Sequence, residues 1–232
     1  MSTRTYRPLP LALTLLIAVF SALVALAISS GQTAHAHDSD AAATAHQSSA
    51  TITRSELALR RDLRKLWEDH IVWTRLAIIS LTSGTPDTEA TVGRLLENQT
   101  HLGNAVKPFY GKAAGNELTK QLRQHILIAA DLIAAAKAGD QAKLAAEQAR
   151  WAKNADTIAG VLHSVNPRHF KLAVLKKEMQ MHLKLTTEEA VARLTGDWAA
   201  DVAAYDRIHD HILHMSDYLA AGLVKQFPKR FR

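Results

Sequence analysis

Three histidines each fall in the middle of an apolar stripe of helical period. His70 lies among Leu63, Leu66, Trp67 and Ala77, His125 among Leu118, Leu122, Ala129 and Leu132, and His209 among Val202, Tyr205 and Ile212. Three neutral imidazoles are a common ligand set for a transition metal (Zn, Cu, Fe or Ni) with one coordination position open. Asp206 stands one helical turn before His209, where its carboxylate would be a fourth ligand or would orient an imidazole. Two amides follow the same pattern. Gln99 sits mid-stripe among Val92, Leu95, Leu96, Leu102 and Val106, and Asn154 sits at the edge of the stripe Trp151, Ala155 and Ile158. At about 1.5 Å per residue, His70, Gln99, His125, Asn154 and His209 each come roughly 16–20 Å from the turns that join their helices. One polar side chain per helix is therefore expected in a shared middle layer.

Three functions are compatible with such a layer. In a binding protein it holds a metal ion or a small polar ligand, with Gln99, Asn154 and Tyr205 as further contacts. In a structural or interaction module the same groups hydrogen-bond one another or trapped water and fix helix register. In a metal-dependent enzyme the open coordination position lies beside Tyr205. A carboxylate-bridged di-iron centre asks for Glu-x-x-His on two helices, and only Asp206–His209 approaches that pattern. His211 and His214 are read as facing away from the core. No catalytic residue is identified, and no nucleotide-binding glycine loop or Gly-x-Ser-x-Gly elbow is present.

The elements that carry these residues are all helical, since from Ser55 onward no segment alternates as a strand does. A first helix is expected from Ser55 to Leu81, ended by Gly84, and a second from Thr85-Pro86 to Val106. Pro108 and Gly111 break the chain before a third helix from Gly115 to Lys137. Asp140 caps a fourth, to Val165, and Asn166-Pro167 opens a shorter fifth. Thr186 and Glu189 read as a capping box that starts a brief sixth. The last helix runs from Trp198 to Phe227. Short connections make neighbours antiparallel, so the fold class is all-α: an up-and-down bundle of long antiparallel helices with short accessory helices. Its core is expected from the first, third, fourth and last helices, in one domain over residues 53–228, with a basic tail at residues 229–232.

Ahead of the bundle, Arg4 and Arg7 precede an apolar run from Leu9 to Ile28 and a small-x-small site at Ala34-His35-Ala36. Residues 1–36 thus read as a signal peptide, or as an uncleaved anchor of about 20 apolar residues, the length that spans a bilayer. Residues 37–52 read as a flexible tether. The expected location is extracytoplasmic, periplasmic or secreted, with membrane contact only through the N-terminal segment. Loss of the two arginines lowers the formal charge from +6 to +4, a scattered excess that argues against nucleic acid as a partner. The chain has no cysteine, which excludes disulfides, thiolate ligands and thiol catalysis.

Several stretches resemble a family of uncharacterised bacterial helical-bundle proteins found notably in bacilli. They include Leu66-Trp67-Glu68-Asp69-His70, Lys107-Pro108-Phe109-Tyr110-Gly111, the segment from His182 to Glu189, and Gly196-Asp197-Trp198 through Ile208-His209-Asp210-His211. The likeness covers roughly residues 56–228 and implies a helical bundle. Members of that family are often labelled glycosyltransferases, an activity that calls for an α/β nucleotide-sugar domain which this sequence does not encode.

Overall fold

A computed structural model describes residues 52–232. The signal segment and nearly all of the tether lie outside the described residues. Five helices follow one another, with no strand among the described residues. Helix α1 (Arg54–Ser83) starts where the Thr53 hydroxyl accepts the Glu56 amide, and stops at Gly84, whose φ of 68° only glycine adopts without strain. Helix α3 (Gln141–Val165) is capped by Asp140, which accepts the Lys143 amide at 2.9 Å. Helix α5 (Trp198–Gln226) is capped in the same way by Asp197.

The element α2 (Thr88–Ala138) is two rods joined at Gly111, whose φ of 83° and ψ of 170° reverse the chain direction. The break expected around Pro108 and Gly111 is therefore a tight hairpin between arms 88–110 and 112–138. The arms cross at Gly103 and Gly115, so closely that a Cβ on either glycine would stand 2.6 Å from the carbonyl oxygen of the other. The second helix starts at Thr88 rather than directly after Thr85, with Asp87 at the N-cap position but its carboxylate accepting from Ser80 and Thr85 instead of the helix amides.

The larger departure concerns the two short helices expected after Val165. Residues 166–171 form a turn, and a single helix α4 (Leu172–Thr195) replaces both. The proposed capping box lies inside it. Thr186 donates back to the His182 carbonyl at 2.8 Å, and Glu189 is fully buried. Six rods, rather than four with a cover, thus surround the core.

Cross-links between neighbours close these rods into an up-and-down ring. Asn98 donates to the Leu66 carbonyl between the first arm and α1, and Arg123 to the Leu96 carbonyl between the two arms. Asn154 reaches Gln121 from α3, Lys176 of α4 reaches Asp156, and Arg207 of α5 reaches Glu188. Arg64 and Asp217 then join α1 to α5, and the ring is complete. The closing residues, expected as a free basic tail, form a 3-10 turn (Pro228–Phe231) docked on the bundle end. There Thr53 donates to the Phe231 carbonyl at 2.9 Å, and Arg230 lies over Phe109.

Inside the ring, Leu63, Ile71, Leu122, Ile158, Ile212 and Leu223 belong to the main apolar core. No helix among the described residues is long and apolar enough to cross a membrane.

Candidate functional site

The middle layer exists, with one change of membership. His70 from α1, Gln99 and His125 from the two arms of α2, Asn154 from α3 and His182 from α4 are all buried, Gln99 completely. The His182 ring centroid stands 5.8 Å from those of both His70 and His125. His182 takes the place that the helical wheels assign to His209.

His209 lies outside the layer, with its Nε2 at 3.3 Å from Glu68 Oε1 on the bundle surface, and Asp206 is exposed. Tyr205 is half-buried and covers the guanidinium of Arg75 at 4.6 Å, on the flank of the bundle. Gln99 and Asn154 therefore join His70 and His125, whereas Asp206, His209 and Tyr205 do not. The cause is a buried charge. Asp201, rather than an apolar residue, occupies the inward face of early α5, where it accepts from Arg75 at 2.9 and 3.1 Å and from Arg193 at 3.2 Å. The inward stripe is then Asp201, Ala204, Ile208 and Ile212, which turns Trp198 and Val202 out to solvent at 58 % and 52 % exposure. His211, expected to face away, is largely buried, and its ring stacks 6.2 Å from His182.

Hydrogen bonds fix two of the three imidazole tautomers. Asn154 Nδ2 donates to the Gln121 carbonyl and to Gln121 Oε1, and Gln121 is itself oriented by its bond to Glu117. Asn154 thus presents its oxygen to His125 Nδ1 at 2.8 Å, so that Nδ1 carries the proton and Nε2 carries a lone pair. The Nε2 atom is buried and has no partner. In His70 the arrangement is reversed. Gln99 Nε2 donates to the Leu95 carbonyl and to Asn98 Oδ1, and meets His70 Nδ1 at 3.2 Å. The amide nitrogen directs its two hydrogens to these oxygens and accepts none, so His70 Nδ1 faces it with a lone pair and the ring proton sits on Nε2.

Burial keeps these rings neutral. It lowers His70 to about 3, helped by the nearby His125, and lowers His125 to about 4 against the opposing bond from Asn154. His182 also lies well below the ordinary histidine value, through burial and then the proximity of His125, His70 and His211.

Two small apolar cavities flank the layer along the bundle axis. The first, about 50 Å³, is lined by all three histidines together with Trp67, Met179 and Met215 among others. The second, about 40 Å³, lies on the other side against Ile78, Ile126, Trp151 and Thr186. Five buried polar atoms around the layer have no partner: Trp67 Nε1, Gln99 Oε1, His125 Nε2, Trp151 Nε1 and His182 Nδ1. Buried polar groups in folded proteins are nearly always satisfied, so these atoms mark where a buried water or a ligand would be met. Among the described residues, no group of three or more His, Cys, Asp or Glu side chains is placed to hold a metal ion.

A second polar cluster lies two turns along α4 and escapes sequence reasoning altogether. Arg75 bridges the buried carboxylates of Glu189 and Asp201. Burial pushes Glu189 up to about 7, opposed by its bond to Arg75. No family model, no curated protein and no solved structure matches the chain.

Proposed function

We propose that the protein is an exported binding protein of the helical family that its motifs resemble, and that it holds a small polar ligand or a metal ion at the imidazole layer. One observation carries this reading: five unpartnered buried polar atoms crowd around one layer between two cavities. A layer that only set helix register would gain most by satisfying its own members, as Asn154 and Gln121 do. A metal ion is the second reading, favoured by the unprotonated Nε2 of His125 beside the soft thioethers Met179 and Met215 on the same cavity. Export rests on the N-terminal charge, apolar run and Ala34-His35-Ala36.

Native mass spectrometry and metal analysis of the exported chain test the proposal, alongside the cavity-filling variant Ile158→Phe. The expected result is a bound mass or near-stoichiometric metal in the wild type that is lost in the variant. If both proteins carry only their chain mass and no metal, before and after incubation with periplasmic extract, the binding reading falls. The register role then remains.

A further inference from the structure

We infer that the ligand of the layer is an uncharged molecule, with a small apolar body and one group that both donates and accepts a hydrogen bond, such as an alcohol or a primary amide. The inference rests on the reading of the layer as a ligand site. It concerns only what that site can recognise.

Three features of the site lead to this class. The first is the mixture of hydrogen-bonding roles. His125 Nε2 offers a lone pair, fixed by the chain Glu117–Gln121–Asn154–His125. Trp67, whose side chain lines the same cavity, has an Nε1 that can only donate and has no partner. His70, held in the opposite tautomer by Gln99, adds a second donor. A metal ion accepts lone pairs alone, so the donors of Trp67 and His70 turn the positive ends of their dipoles against it. A hydroxyl or an amide meets both kinds of group.

The second feature is charge. The layer contains imidazoles and amides but no carboxylate. The buried acids outside it are already paired, Glu189 and Asp201 with Arg75 and Glu147 with Arg150, and Glu178 faces His211 rather than the layer. A cation would enter an apolar core with no counter-charge to offset its desolvation. The same environment excludes a proton from His70 and His125, both held far below the ordinary histidine range by burial. An anion fares no better, because these rings stay neutral and the layer has no arginine or lysine.

The third feature is size and lining. Beyond the histidines, Trp67 and Tyr110, whose hydroxyl donates to Gln226, the wall of the first cavity is formed by leucine, isoleucine, valine, phenylalanine and methionine side chains. Its volume of about 50 Å³ admits only a few non-hydrogen atoms without rearrangement. Met179 and Met215, unbranched and flexible, are the walls that give way to a slightly larger body.

The test uses the full exported chain with ¹⁵N-labelled histidine, titrated in parallel with 1-propanol, propionamide, propylammonium, propionate and zinc. The expected result is saturable movement of the His125 Nε2 resonance with 1-propanol or propionamide and none with the three ions. Trp67→Phe should weaken that binding roughly fivefold, the effect of one lost hydrogen bond. Ile158→Phe, which fills the cavity from another wall, should abolish it, so the test survives if one variant folds poorly. Saturable binding of zinc or propylammonium at His125 would overturn the neutral class and leave the ligand site standing. If no probe moves the layer and pressurised xenon fails to perturb the cavity methyl groups, the site reading falls and the class falls with it.

Discussion

Acidification from pH 7 to pH 5 sets two opposing linkages against each other in this protein. His70 and His125 are held at about 3 and about 4 in the folded state, against about 6.5 for an unfolded histidine. Between those values the unfolded chain binds more protons, so stability is present above about 6.5 and is lost as pH falls. At pH 5 the loss is about 2 kcal/mol for each of the two rings. His182, shifted in the same direction, adds to it. Glu189 works the other way, because its folded value is raised to about 7. The folded state there binds the extra proton, and acidification over the same range returns about 2 kcal/mol. Glu189 therefore offsets about one histidine, and the net effect is a loss of about 2 kcal/mol or more. Urea unfolding followed by circular dichroism at pH 7 and pH 5 measures it directly. Glu189→Gln keeps the contact to Arg75 but removes the compensating titration, so its loss should exceed that of the wild type by about 2 kcal/mol. Equal wild-type stability at the two pH values, with no extra loss in the variant, would refute the assignment of these groups as buried and neutral.

Two further comparisons test how the ring is held. Gly103→Ala places a methyl group against the Gly115 carbonyl and the Thr119 side chain, and should cost about 1–3 kcal/mol in thermal unfolding. Gly93→Ala, with nothing within 4 Å of the new carbon, should gain about 0.5–1 kcal/mol. Arg75→Met leaves two buried carboxylates without their main partner and should cost about 3–5 kcal/mol. Arg64→Met breaks an exposed pair with Asp217 and should cost under about 1 kcal/mol by the same measurement.

Local signals with a single structural meaning were legible in the sequence. Gly84 ends the first helix with positive φ, and Asp140 caps the helix that opens after Gly139, as expected. The layer was legible where its members sit among apolar neighbours, as His70, Gln99, His125 and Asn154 do. It failed at His182, because Thr186 and Glu189 imitate a helix start while the spacing Leu175, Met179, His182, Thr186, Glu189 continues through it. That unbroken period was the available signal. On α5 the error came from treating charge as outward-facing. Asp201 is an inward residue only because Arg75, far away in sequence, meets it, and a helical wheel drawn for one segment contains no such partner.

Closure of the ring has a consequence for chain connectivity. Thr53 and Phe231 touch, so the two ends of the described bundle leave it at the same place. The contacts between α1 and α5 join elements at opposite ends of the described chain, so they carry a high loop-closure cost. A short linker from residue 231 to residue 53, with new ends opened at the exposed turn Gly139–Asp140, would convert those contacts into local ones and leave each helix intact. The rearranged chain would keep the same ring, with the contacts between the second arm of α2 and α3 now its long-range ones.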